Sequence, residues 1–398
     1  MQYHISDKMA SLKPSAIREI FKYTGAPGVI SLAGGNPAPE ALPVRDIQQL
    51  MGEVLADNPM QALLYSQSEG HPPLRDETKR FIAENYGVFR EGADELIIVS
   101  GAQQCMDLAC KVLCNEGDTV ICEDPSFVGA LNCFRSYNVN LVGVPLQDDG
   151  IDLDRLEAAL KANPNTRFLY LIPNFQNPTG ITTSIEKRKA VYALAKRYGT
   201  LILEDNPYGD LRFEGEDVPA IKTLDEDGIV LYAGTFSKIL STGIRVGYLV
   251  MPAGLTSPIV VAKQCTDVHT GMLAQLLCHR FLTKRDMNAH IRSAKGIYAH
   301  KCGLMLQEMD KQFPKSVTYT RPSGGLFIWA TLPDGLDGQE VATRLIKEKK
   351  VCVVPGGAFL SNQDAPSSSL RFNFTMSTDE QIVQGISLTA ELLNQLCP

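Results

Sequence analysis

The chain has 398 residues, 44% hydrophobic and 21% charged, enough for a large core and two domains. A formal net charge of -7 with a pI near 5.5 argues against a nucleic-acid or anionic-membrane partner, since either needs a basic face. Ten cysteines without a Cys-x-x-Cys pair and six histidines without ligand spacing point away from a disulfide framework and from a metal site. The N-terminal residues carry no apolar signal core, and the longest apolar stretch, 246–262, is interrupted by Pro252, Gly254 and Pro258. The expectation is a cytoplasmic protein with reduced thiols.

In chain order, a short amphipathic helix is predicted after Pro14, with Ile17, Ile20 and Phe21 as its apolar stripe and Arg18 on another side. Ile30 begins a small strand that runs into Gly34, Gly35, Asn36 and Pro37, a loop that lets backbone approach a ligand closely. A polar loop holding Tyr65 precedes a helix ending near Tyr86. Residues 95–104 read as strand, tight turn and helix start, and the free amides of Ala102 and Gln103 at such a start form a phosphate cradle. A strand from Thr119 ends in a turn presenting Phe127. Asp152 or Asp154 caps the next helix, which stops at Asn163 before Pro164. The buried strand 167–172 runs into Asn177-Pro178-Thr179-Gly180, and Thr183 with Glu186 forms a capping box for the helix that Gly199 closes. The strand 201–205 ends in the carboxylate of Asp205, with Tyr208 just beyond.

The strand 229–233 leads into Gly234, Thr235, Ser237, Lys238 and, seven residues later, Arg245. A lysine emerging from a buried strand is desolvated, which favours the neutral amine, and a neutral amine attacks carbonyls. The hydroxyls and Arg245 beside it can bind an anion such as a phosphate. An amine next to a phosphate pocket points to pyridoxal 5'-phosphate (PLP) held as a Schiff base. Alternating strand and helix units predict an α/β fold, a mostly parallel doubly wound sheet that binds ligands at the carboxyl ends of its strands. Ala102, Gln103, Phe127, Asn177, Asp205, Tyr208 and Lys238 all fall just past such ends. Beyond residue 265 long helices give way to a smaller α+β unit, with strands 325–330, 351–354 and 370–374 and a last helix capped by Ser377 and Glu380. Locally, Asp205 can equally be a cap before Pro207, and Arg371 an edge-strand arginine paired with a surface acid. With PLP present, Asp205 would face the ring nitrogen, Asn177 and Tyr208 the phenolic oxygen and Phe127 the ring face. Arg371 would then grip a substrate carboxylate.

The succession Tyr65, Gly101-Ala102-Gln103-Gln104, Asn177 to Gly180, Asp205-x-x-Tyr208, Ser237-Lys238 with Arg245, and Leu370-Arg371 resembles the class I aminotransferases, PLP enzymes of fold type I, over nearly the whole chain. Ser15 to Arg18, Ser31 to Pro39, Phe236 to Ile239 and Val354 to Phe359 are most similar to the kynurenine/2-aminoadipate aminotransferase branch. The resemblance implies a large cofactor domain over 44–292 and a small domain formed by 1–43 with 293–398. It implies transfer of an amino group from an L-amino acid to a 2-oxo acid, 2-oxoglutarate being the expected acceptor. It further implies a homodimer with shared active sites, in which Tyr65 reaches the partner's cofactor phosphate, and a distal substrate carboxylate met by Arg18. Gly35 joins Arg371 and Asn177 in the implied substrate site. Phe127 stands where the branch usually has tyrosine, and Ala102 and Thr235 where it has serine. A β-lyase or decarboxylase of the same fold stays open, with Arg371 among aromatics weighing against it. A PLP-binding sensor domain of a transcription regulator needs a basic segment ahead of the fold. The aminotransferase-like pattern starts by about Ser15, which disfavours that reading.

Overall fold

A computed structural model of the chain describes residues 3–10, 12 and 27–397. The helix expected after Pro14, and Arg18 with it, lies outside them. In chain order the strands are β1 (Ile30–Ser31), β2 (Asp94–Val99), β3 (Thr119–Asp124), β4 (Asn140–Gln147), β5 (Gly150–Ile151), β6 (Thr166–Leu171), β7 (Leu201–Asp205), β8 (Val230–Thr235), β9 (Gly247–Pro252), β10 (Thr318–Tyr319), β11 (Phe327–Thr331), β12 (Val351–Cys352), β13 (Val354–Pro355) and β14 (Ser369–Asn373).

The large sheet runs β2-β9-β8-β7-β6-β3-β4-β5. Strands β8, β7, β6, β3 and β4 are parallel neighbours, while β9 runs antiparallel between β2 and β8. Alternate residues of its central strands face different cores. Val120, Cys122, Phe168, Tyr170 and Leu203 point to one apolar cluster, and Ile121, Leu169, Leu171 and Ile202 to the other. A sheet covered on both faces needs apolar side chains on both, which is why these strands read as unbroken hydrophobic runs. Each fully buried aliphatic or aromatic side chain contributes roughly 1.5–3 kcal/mol.

The crossover helices end where their sequences predict, with two cap positions displaced. Asp152 accepts the amide of Arg155 at the start of Leu153–Ala162, and Gly199 closes Ile185–Tyr198 in a left-handed conformation. The cap of the latter helix is Ser184, one residue later than Thr183, because the Ser184 hydroxyl meets the Lys187 amide. Likewise Thr378 and Gln381 form the capping box of the last helix, Asp379–Leu396, in place of Ser377 and Glu380.

The second sheet is antiparallel, in the order β10-β11-β14-β13, and places Arg371 opposite both Trp329 and Val354. The single strand expected over 351–354 is two, and β12 leaves this sheet to pair with β1. That pairing, together with the Asn373 amide donating to the Leu32 carbonyl at 2.7 Å, carries the loop after β1 toward the strand ends of the large sheet. Among the described residues no helix is long and apolar enough to cross a membrane. None of the ten cysteines is in a disulfide among the described residues.

Candidate active site

A cavity of about 460 Å³ opens at the carboxyl ends of the central parallel strands. Its lining brings together Gly35, Ala102, Gln103, Phe127, Asn177, Asp205, Tyr208, Thr235, Ser237, Lys238, Arg245 and Arg371, twelve of the fourteen residues expected from sequence. Tyr65 stands apart, highly exposed and edge-on to His269 with ring centroids 5.8 Å apart, and Arg18 is outside the described residues. Met106, Val128, Ile172, Thr242 and Phe327 also line the cavity, without a sequence signal beyond their place one turn or one strand end from a marked residue.

Lys238 comes three residues after β8, on the connection between β8 and β9, and donates to the Gly35 carbonyl at 2.7 Å. Burial first, then the nearby guanidinium groups of Arg371 and Arg245, push its amine down to about 8, opposed by Asp205. Asp205 is the last residue of β7, not a cap. Its Oδ2 accepts from the Tyr170 hydroxyl at 2.8 Å, while Oδ1 is buried without a partner. Burial raises this carboxyl to about 7, with the Tyr170 hydrogen bond and Lys238 working the other way.

At the mouth, the Thr235 hydroxyl donates to Ser237 Oγ at 2.9 Å and accepts the Ser237 amide. Arg245 adopts a left-handed backbone (φ 52°), unusual for a side chain of its size and characteristic of functional sites. Its guanidinium reaches Ser237 Oγ at 3.4 Å and the Ser100 carbonyl at 3.3 Å. Gly101 (φ 77°) lies against it, and a Cβ there would collide with the guanidinium. The helix Gln103–Leu113 begins at this point, with Ala102 at its cap, so its first amides face the same spot. Two hydroxyls, a cation and free helix amides are the donors that a phosphate would take.

Arg371 is buried between the rings of Phe327 and Phe359, at 4.1 and 4.9 Å from their centroids. It donates to Asn177 Oδ1 at 2.9 Å and the Ala33 carbonyl at 2.7 Å, and its Nε has no partner. Among the described residues no carboxylate pairs with it, and it is buried, unlike the surface pair that is the alternative. Burial lowers it to about 10, still charged at neutrality. Asn177 Nδ2 in turn donates to the Tyr208 hydroxyl at 3.4 Å.

An orphaned carboxylate oxygen, an orphaned guanidinium nitrogen and an amine of lowered pKa are what PLP and an amino acid would satisfy, so the residues present fit that cofactor. Among the described residues no group of three metal-ligating side chains occurs.

The titration of Asp205 leads to a test. Between its ordinary 3.8 and about 7, the folded protein holds a proton that the unfolded chain has released. Folding stability therefore falls as pH rises through that window. The cofactor-free protein is expected to lose more stability between pH 4 and 7 than Asp205→Asn does, as read from thermal midpoints. Parallel curves for the two proteins would contradict the burial argument.

The fold, with an amine of lowered pKa, hydroxyls, helix amides and two guanidinium groups gathered in one cavity, is that of a pyridoxal-phosphate-dependent transaminase. A family model described as "Aminotransferase class I and II" matches residues 27–386, and the chain belongs to that family. It is 37% identical over 396 residues to aromatic-amino-acid aminotransferase 1 of Thermococcus litoralis, covering 98% of this chain and 94% of that one. It is 38% identical over 388 residues to the 2-aminoadipate transaminase of Thermus thermophilus, covering 97% and 95%. Among solved structures it superposes with TM-score 0.94 and 35% identity on Pyrococcus horikoshii kynurenine aminotransferase, in complex with PMP, KYN and KYA, over 99% of this chain and 98% of that one.

Proposed function

We propose that this aminotransferase takes its amino group from aromatic, aliphatic or 2-aminoadipate-type L-amino acids and delivers it to 2-oxoglutarate by a two-stage, ping-pong cycle. The observation that carries this reading is the Lys238 amine, lowered toward neutrality and sharing one cavity with Asp205, whose Oδ1 has no partner, and with Arg371, whose Nε has none. When bound, pyridoxal phosphate supplies an aldehyde that captures the amine and a ring that takes up the electron pair left at the substrate α-carbon.

Lys238 would hold that aldehyde in the resting enzyme and, once freed, is the amine placed to carry a proton, as base and then as acid. Asp205 Oδ1 would accept from the ring nitrogen and favour its positive charge. Asn177 and Tyr208 would serve the phenolic oxygen and Phe127 the ring face. Thr235, Ser237, Arg245 and the amides of Ala102 and Gln103 would hold the phosphate. Arg371 forks onto the substrate α-carboxylate beside Gly35, and Arg18 meets a distal carboxylate. Tyr65 serves the partner subunit of a homodimer. Exposed Met60, Leu63 and Leu64 beside it support a covered surface there. The large domain spans 44–292 and the small one 1–43 with 293–398, in keeping with the two sheets. Ten cysteines without a disulfide among the described residues support a reducing compartment, the cytoplasm.

The experiment is a single turnover of PLP-loaded protein with phenylalanine, leucine, kynurenine, glutamate and 2-aminoadipate, without acceptor. A transaminase releases one equivalent of 2-oxo acid per site and stops until 2-oxoglutarate is added. Continuous release of ammonia or carbon dioxide would replace this reading with a lyase or a decarboxylase.

A further inference from the structure

Asp205 has a second carboxylate oxygen, Oδ2, besides the one offered to the ring nitrogen. That oxygen is held by Tyr170, a residue inside β6 that is not in the lining of the active-site cavity and has no solvent access. The Tyr170 ring is fixed edge-on by Phe134 at 5.2 Å, and Phe134 itself packs edge-on against Phe168 at 5.5 Å. Its backbone is fixed on both sides, opposite Cys122 of β3 and Leu203 of β7. The hydroxyl thus has one place to go, Oδ2 of Asp205, at 2.8 Å.

A carboxylate can turn about its terminal torsion, which is broad and two-fold, and in a dry site it resists ionisation. One fixed donor on one oxygen answers both problems. It sets the plane of the group, leaving Oδ1 as the free acceptor, and it stabilises the charged form. The other ionisable groups near the pair do not share the task. Glu123 on β3 is occupied by the Ile172 amide at 3.0 Å and Gln176 Nε2 at 3.3 Å. Cys105, on the helix below, points its thiol to the Tyr248 carbonyl at 3.6 Å. Tyr208 is taken by Asn177, and Lys238 by Gly35.

We infer that Tyr170 is a positioning residue of the transamination reaction: its hydroxyl holds Oδ2 of Asp205 so that Oδ1 meets the cofactor's ring nitrogen as an ionised, correctly turned acceptor. This rests on the assignment of Asp205 to the ring nitrogen. Burial drives the Tyr170 phenol far above its ordinary range, so it stays a donor at any working pH.

The test is Tyr170→Phe in the PLP-loaded protein, read by spectrophotometric pH titration of the lysine-bound chromophore. A ring nitrogen that keeps its proton opposes a second positive charge at the Schiff-base nitrogen. Loosening Asp205 therefore raises the titration midpoint, by about half a pH unit or more, and lowers kcat about 3- to 30-fold with KM for the amino donor within about twofold. In an Asp205→Asn background, adding Tyr170→Phe should leave the midpoint where Asp205→Asn put it. An unchanged midpoint and kcat, or an equal shift in the Asp205→Asn background, would overturn the inference. Should the phenylalanine variant fail to fold, 3-fluorotyrosine at position 170 serves instead. Its more acidic hydroxyl should lower the midpoint, and no movement counts against the proposal. If wild-type protein forms no pH-dependent chromophore with PLP at all, the site assignment itself fails. If it does and Tyr170→Phe titrates identically, only the role of Tyr170 is lost.

Discussion

Lys238→Ala is expected to lower kcat by about 10²- to 10⁴-fold, the usual range for losing a positioned acid–base group, while the protein still takes up pyridoxal phosphate. No other described side chain of the cavity is expected to replace the amine, Asp205 being the proposed partner of the ring nitrogen. Tyr208 is driven far above its ordinary pKa by burial and is tied to Asn177, and the guanidinium groups of Arg371 and Arg245 do not accept protons. Retention of the cofactor is expected because the substitution touches none of the proposed phosphate ligands, Thr235, Ser237, Arg245 and the first amides of the helix Gln103–Leu113. A small primary amine added to the medium can enter the vacated space and should restore part of the rate. The measurements are single-turnover release of 2-oxo acid and cofactor content after gel filtration. A variant within about tenfold of wild type would mean that the proton travels by another route.

The second large effect is expected from Arg371→Leu. Two charge-assisted hydrogen bonds to a carboxylate, at roughly 1.5–3 kcal/mol each, correspond to a loss in kcat/KM of about 10²- to 10⁴-fold toward amino acids. The same change has a signature that general damage lacks. An amine that is the decarboxylated counterpart of a good donor has no use for Arg371, so the preference for the amino acid over that amine should collapse. The pH profile should shift as well, since Arg371 is one of the cations that depress the Lys238 amine. The Lys238 pKa moves up, and less neutral amine is present near neutrality. Leucine leaves Asn177 Oδ1 and the Ala33 carbonyl without this donor but also relieves a buried cation, so the fold should survive. Retained discrimination between amino acid and amine would remove Arg371 from the role.

Most of this cavity is visible in the chain because parallel sheets gather their strand ends. An apolar run followed by a polar residue marks the end of a strand, and Asn177, Asp205 and Lys238 are three such places on adjacent strands. Gly35 was visible through its glycine-rich loop, and Arg371 through its isolation on an aromatic strand. Tyr170 was not. It lies inside the run 167–172, where a tyrosine reads as one more core side chain, and only the pairing of β6 with β7 brings its hydroxyl to Asp205. The reversal of β9 left no mark either, because antiparallel and parallel neighbours in a doubly covered sheet use the same apolar residues. The displaced caps at Ser184 and Thr378 show the limit of a four-residue pattern. Where two hydroxyl residues are adjacent, backbone geometry selects between them.

The reversal of β9 has a mechanical outcome. Lys238 and Arg245 ride on one link, residues 236–246, pinned at both ends where Thr235 pairs with Gly247. Arg371 is mounted on the other sheet. The spacing between Lys238 and Arg245 is therefore set within a single clamp that does not depend on the second sheet. On the roles proposed for these residues, a shift of that sheet would release a departing keto product and leave the vitamin-derived tool bolted in place for the next round.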